Sequence, residues 1–173
     1  MTTLADSIAG NQSAVRDFVN AASTIPTAQW SQPAAPGKWT PGQVVEHICL
    51  AYEVGNGVLR EQSALPVFPR WARPLIRSLF LSRILRTGRF PRGSKAPGPF
   101  TPSNAPPPPQ TAVPRLQAAV AAFEANAAAM VNGGHTSFVH PVFGTMPVMD
   151  YIRLVEVHTQ HHMKQLPSAD HTD

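Results

Sequence analysis

Residues 40 to 47 read Thr-Pro-Gly-Gln-Val-Val-Glu-His and contain the clearest helix start in the chain. Thr40 is a typical N-cap residue, Pro41 suits the first helical position, and Gln43 occupies the second position of a capping box. After this start, apolar residues recur every three or four positions and form a stripe that includes His47. The imidazole of His47 is therefore predicted to point into the protein core.

Three further stretches show the same helical periodicity of apolar residues. The predicted helices cover residues 4–22, 41 to about 63, 114 to the Asn-Gly-Gly stop at 132–134, and 145 or 147 to about 165. Each of the four has one apolar face that must be buried against another element. This pattern predicts an all-α fold in the form of a four-helix bundle.

The length of 173 residues and a hydrophobic content of 43% predict one domain spanning residues 1–173. Cys49 is the only cysteine, which excludes an intramolecular disulfide and a zinc site built from several thiolates. Neither a secretory leader nor 18 consecutive apolar residues can be recognised. The expected location is the cytoplasm.

A long insertion, residues 66–110, separates the second and third predicted helices and contains 11 of the 19 prolines. Within it, residues 74–87 are predicted to form a short amphipathic helix, with Leu75, Leu79 and Ile84 on one side and arginines on another. The favoured interpretation is a lid or an extra helix packed on the bundle. The less favoured alternative is a helix that binds a membrane surface, because its arginine-bearing and apolar sides have the composition of such helices.

The positive charge of the chain is concentrated in this insertion. Eight of the 14 Lys and Arg residues lie between Arg70 and Lys95, where there is no Asp or Glu. The rest of the chain has 6 basic and 10 acidic residues, a balance of 6 − 10 = −4. A protein-wide surface for nucleic acid is therefore not predicted.

His158 and His162 lie four residues apart, so both fall on the inward face of the fourth helix, while His161 falls at its edge. A buried histidine is often only a hydrogen-bonded core residue. Three inward imidazoles are expensive to bury without partners, and one divalent ion would satisfy a nitrogen of each. His47, His158 and His162 therefore predict a metal site. Nickel, zinc, cobalt and iron all accept imidazole, so the ligands do not select one of these metals.

Two motifs resemble the DinB-like superfamily, also called DinB/YfiT-like metalloenzymes: Trp39-Thr-Pro-Gly-Gln-Val-Val-Glu-His47 and His158-x-x-x-His162-x-x-Gln165-Leu166. Residues 140–144, His-Pro-Val-Phe-Gly, resemble an uncharacterised, bacterial-type subgroup. The resemblance implies a four-helix bundle that binds a divalent metal through His47, His158 and His162, with nickel or zinc most frequent. The basic, Pro-rich insertion departs from the compact family pattern.

The resemblance also implies a class of chemistry. Characterised relatives are thiol-dependent transferases or isomerases that use low-molecular-weight thiols. The expected function is therefore that of a metal-dependent thiol transferase or hydrolase acting on a small molecule. The alternative is a non-catalytic metal-binding or stress-response module, and assembly into a homodimer is left open.

Other residues have reactive or polar side chains, but each is expected to have a minor role. Cys49 is expected at the edge of the packed surface, and Tyr151 is expected mainly to pack in the core, although its hydroxyl could approach the metal. Gln165 either orients a histidine ring or caps the helix end. His135, His140 and His171 are expected in turns or in the tail, facing solvent.

Overall fold

The computed structural model describes residues 2–63, 65–90 and 96–167. In chain order its helices are α1 (Leu4–Ser23), α2 (Thr27–Trp30), α3 (Pro41–Leu59), α4 (Arg73–Ile76), α5 (Ser82–Thr87), α6 (Pro109–Asn132) and α7 (Val148–Met163). Between α6 and α7 the strands β1 (Ser137–His140) and β2 (Gly144–Pro147) form an antiparallel hairpin.

The four long helices α1, α3, α6 and α7 pack as a bundle, with α1 against α7 and α3 against α6. Large side chains from all four are fully buried between them: Phe18, Tyr52, Phe123 and Ile152. The predicted all-α four-helix bundle is thereby confirmed. Because the start of α3 meets the end of α7, the two helices run antiparallel, which brings the predicted histidines to one end of the bundle.

The start of α3 forms as its sequence indicates. The Thr40 hydroxyl accepts a hydrogen bond from the Gln43 backbone N–H at 3.2 Å, and the Gln43 side-chain oxygen accepts one from the Thr40 N–H at 3.0 Å. The helix ends at Leu59 rather than near residue 63. Glu61 adopts a φ of +59°, and this left-handed conformation turns the chain away from the helix axis.

The hairpin between α6 and α7 was not predicted. Its register pairs Phe138 with Met146, and Met146 is fully buried while Phe138 packs on the core. Each strand has only four residues, which is too short for a period-two pattern to be recognised beside the adjacent helices. Because β2 ends at Pro147, α7 begins at Val148 and not at residue 145 or 147.

The insertion is helical without a break from Arg73 to Thr87, because a π-helical turn over residues Arg77–Leu81 joins α4 to α5. The prediction that its apolar residues share one side is wrong. Leu81 and Ile84 are buried against the bundle, whereas Leu75 and Leu79 are exposed. The π turn accommodates an additional residue and so rotates the following positions by about 100°.

Among the described residues, no helix is both long enough and apolar enough to cross a bilayer.

Candidate metal centre

Three imidazoles meet at the end of the bundle where α3 starts and α7 ends. His47 comes from the second turn of α3, and His158 and His162 come from the last two turns of α7. The Nε2 atom of His158 lies 3.2 Å from Nε2 of His47 and 3.1 Å from Nε2 of His162. The structure thus brings together the three histidines that the sequence singled out, with ligand atoms within 4.8 Å of one another.

Two of the rings have their outer nitrogens engaged. Nδ1 of His47 donates to the backbone carbonyl of Phe100 at 2.6 Å, and Nδ1 of His162 donates to Oε1 of Gln165 at 3.0 Å. The Gln165 amide N–H group lies 3.3 Å from Nε2 of His161, which agrees with this orientation of the amide. With the proton on Nδ1, each inner Nε2 presents a lone pair, as metal-ligating histidines do.

The spacing of these nitrogens fits a single ion. Lone pairs at 3.1–3.2 Å repel one another unless a proton or a cation lies between them. Nitrogens bonded tetrahedrally to zinc at the usual length are about 3.3 Å apart. The three residues can therefore hold one metal ion.

Burial favours the neutral, ligand-competent form of all three rings. It lowers the pKa of His162 to about 3, with nearby His47 acting in the same direction. Burial also lowers the pKa of His47, although the bond to Phe100 opposes this shift, and it holds the pKa of His158 well below 6.5. His158 remains partly accessible at the surface, which gives the cluster an approach from solvent.

Aromatic side chains form the walls of the cluster. The ring centroid of Trp39 lies 4.8 Å from that of His47 and 6.1 Å from that of His162. Phe90, from the insertion, lies 4.8 Å from His158. Sequence reasoning missed Phe90 because it is remote in the chain from both helices, whereas Trp39 stands within the motif beside His47.

A segment of the insertion, residues 98–108, which we call the strap, lies along the start of α3. The backbone N–H and the hydroxyl of Ser103 both donate to Oε2 of Glu46 at 2.9 Å. Glu46 is buried beneath the strap. This attachment positions the Phe100 carbonyl that accepts from His47, so the insertion supplies part of the site.

Two other candidates lie away from the cluster. Cys49 is completely buried with its thiol 3.5 Å from the Ala112 carbonyl, and burial raises its pKa to about 12; the expected position at the surface edge is wrong. Tyr151 is buried, with its hydroxyl against Gly55. It precedes His158 by seven residues, or about 10 Å of helix, so it packs in the core.

His140 is the histidine whose environment was predicted wrongly. It is buried under the hairpin, where Nδ1 accepts hydrogen bonds from the backbone N–H groups of Val142 at 3.1 Å and Phe143 at 3.3 Å. Burial lowers its pKa to about 4. His135 is exposed as expected, and His171 lies outside the described residues.

Comparison with known proteins gives one result that bears on identity. The family model described as the DinB superfamily matches residues 12–166. No curated protein and no solved structure matches the chain. Because the family match covers most of the sequence, including all three clustered histidines, the protein belongs to the DinB superfamily.

Proposed function

We propose that His47, His158 and His162 bind one divalent metal ion and that the protein is a metal-dependent S-transferase or hydrolase acting on a small molecule. The observation that carries this proposal is the convergence of three Nε2 atoms without a fourth side-chain ligand among the described residues. Catalytic metal sites keep such a position free, whereas structural sites are closed by four protein ligands. Membership in the DinB superfamily supports the same assignment.

The donor set favours nickel or zinc, and it also accepts iron or cobalt. Three neutral imidazoles leave the charge of a divalent ion uncompensated, which favours an anionic partner such as a thiolate. When bound, the ion lowers the pKa of a thiol or a water and so supplies a nucleophile near neutral pH. A low-molecular-weight thiol is our candidate substrate.

The side chains and backbone around the cluster provide orientation and exclude water. The Phe100 carbonyl and the Gln165 amide fix the tautomers of two rings, which keeps their Nε2 atoms directed at one point. Trp39 and Phe90 cover the rings with apolar surface. Because burial keeps the Cys49 thiol protonated, the reacting sulfur is expected to come from the substrate.

The alternative function is a metal-binding module without catalysis. It is favoured by one observation, the deep burial of His47 and His162 beneath aromatic side chains. The two functions differ in whether a small thiol reaches the metal. Cobalt-substituted protein distinguishes them, because a thiol that binds cobalt changes its visible absorption. An unchanged spectrum at millimolar cysteine or glutathione would favour the module.

The metal site itself is tested by metal analysis of purified protein. Wild type is expected to carry about one ion per chain. His158→Ala is expected to lose most of this metal, because the two ligands that remain bind the ion too weakly. His135→Ala is the control, since His135 is exposed and lies outside the cluster. Equal metal content in wild type and folded His158→Ala would refute the proposal, and circular dichroism establishes that the variants are folded.

A further inference from the structure

The first half of the insertion exposes large apolar side chains. In residues 67–80 these are Val67, Phe68, Trp71, Leu75, Leu79 and Phe80. Trp71 is 81% exposed and Leu75 is 59% exposed, although side chains of this size are usually covered. Val139, on the neighbouring strand β1, is 66% exposed. We call these seven side chains the apolar face.

The same segment of the chain contains three arginines, at positions 70, 73 and 77. Arg70, Arg73 and Arg77 line an open cavity of about 580 Å³ whose other walls include Val139 and Phe143. Asp150 lies 3.7 Å from Arg77 and balances one of the three charges. No Asp or Glu occurs anywhere between residues 62 and 123. The cavity and its surroundings are therefore strongly positive.

The face is held in place by the hairpin. The Phe68 N–H donates to the Pro141 carbonyl at 3.1 Å, and Nε of Arg73 donates to the Phe68 carbonyl at 2.8 Å. Arg77 also donates to the carbonyl of Thr145. Because these bonds fix the backbone beneath the apolar side chains, little ordering is required before the face binds a partner.

The helical run divides its apolar residues between two partners. Leu81 and Ile84 are buried, and α5 packs on α7, so one side of the run is already satisfied by the bundle. Leu75, Leu79 and Phe80 point away from that contact and are exposed. Several large apolar side chains left exposed in one positively charged segment are typical of an interaction site.

We infer that the apolar face docks this protein peripherally on an anionic phospholipid bilayer. Trp71 and the leucines would enter the boundary between headgroups and acyl chains, where tryptophan is favoured. The arginines of the cavity would bind lipid phosphates, for which the guanidinium group is well suited. Within residues 2–63, 65–90 and 96–167, no helix is both long and apolar enough to cross a membrane.

A second copy of the chain is a less suitable occupant. Pairing two apolar faces would bring two sets of Arg70 and Arg73 together without acidic partners from the same segment. Like charges brought together at an interface oppose association. An anionic lipid surface supplies the missing negative charge and the apolar environment at once.

The test is sedimentation of the full chain with vesicles. One set contains equal parts of phosphatidylglycerol and phosphatidylcholine, and the other contains phosphatidylcholine alone. We expect binding to the anionic vesicles that is strong at low salt and weaker at physiological salt, with a blue shift of the tryptophan fluorescence. Absence of binding to anionic vesicles at both salt concentrations would overturn the inference.

Variants separate the apolar and the charged contributions. The double substitution Trp71→Ser with Leu75→Ser is expected to weaken the partition coefficient by at least about tenfold, and Arg70→Glu by about tenfold. Arg16→Glu makes the same change of charge at an exposed position of α1, and this variant is expected to bind the vesicles as wild type does. Unaltered binding of the double variant would contradict the proposal.

Sedimentation equilibrium without lipid tests whether a second copy of the chain binds the apolar face instead. Wild type is expected to remain monomeric at micromolar concentration. A dimer that Trp71→Ser dissociates would assign the apolar face to self-association and refute the lipid assignment. All the substituted side chains are exposed, so the fold is expected to tolerate the changes.

Discussion

Acid is expected to destabilise this protein through His140, a residue remote from the metal cluster. Nδ1 of His140 accepts two backbone N–H groups, from Val142 and Phe143, and therefore cannot carry a proton without losing both bonds. Burial lowers its pKa from 6.5 to about 4 in the folded state. Between these values the unfolded chain binds a proton at His140 and the folded chain does not.

The sign and size of the effect follow from this difference. The contribution of His140 is complete above pH 6.5 and is lost as the pH falls towards 4, because acid favours the state that binds the proton. At about 1.4 kcal/mol for each unit of pKa, the loss reaches about 2 kcal/mol by pH 5 and about 3 kcal/mol below pH 4. The folded protein is least stable on the acid side.

The assay is urea unfolding of metal-free protein from pH 7.5 to pH 5, with wild type compared with His140→Asn. The Asn oxygen can accept from the same N–H groups but does not titrate in this range. The site histidines are present in both proteins, so their effects cancel in the difference. The advantage of wild type over the variant is expected to shrink by about 2 kcal/mol. A difference that stays constant across this range would refute the reasoning, and His135→Asn controls for removal of an exposed histidine.

Two further substitutions test a hydrogen bond that orients a ligand ring and the packing at the start of α3. Gln165→Ala removes an acceptor that orients a ligand ring and is expected to weaken metal affinity by about 10- to 100-fold in chelator competition. Gln160→Ala, on α7 and outside the cluster, should bind metal as wild type does. Gly42→Ala places a methyl group 2.5 Å from Nε1 of Trp30 and is expected to lower the free energy of unfolding by about 1–3 kcal/mol. Gly98→Ala meets no atom within 4 Å and should cost far less in the same denaturation experiment.

The four-helix bundle could be predicted from sequence because its signals are local. The capping box at Thr40 and the apolar stripe through His47 each lie within a few turns of one helix. The same stripes placed His47, His158 and His162 inward, and the structure brings their Nε2 atoms together. Periodicity within helices therefore anticipated which side chains form the cluster.

The remaining features depend on contacts between distant segments, and periodicity does not report these. The Phe100 carbonyl reaches His47 across 53 positions, and Phe90 reaches His158 from the insertion. Cys49 lies off the stripe centre, yet α6 covers it, so its burial was missed. His140 was assigned to a turn because its burial requires a hairpin of two four-residue strands.

The separation of the cluster in sequence has a consequence for folding. His47 and His158 are 111 positions apart, so their contact closes a loop that contains most of the chain. Closing a loop of this length costs more entropy than forming the helices, which need only local contacts. The cluster therefore assembles late on the folding pathway, and an ion held there does not guide nucleation. It instead tightens a finished structure and slows its opening.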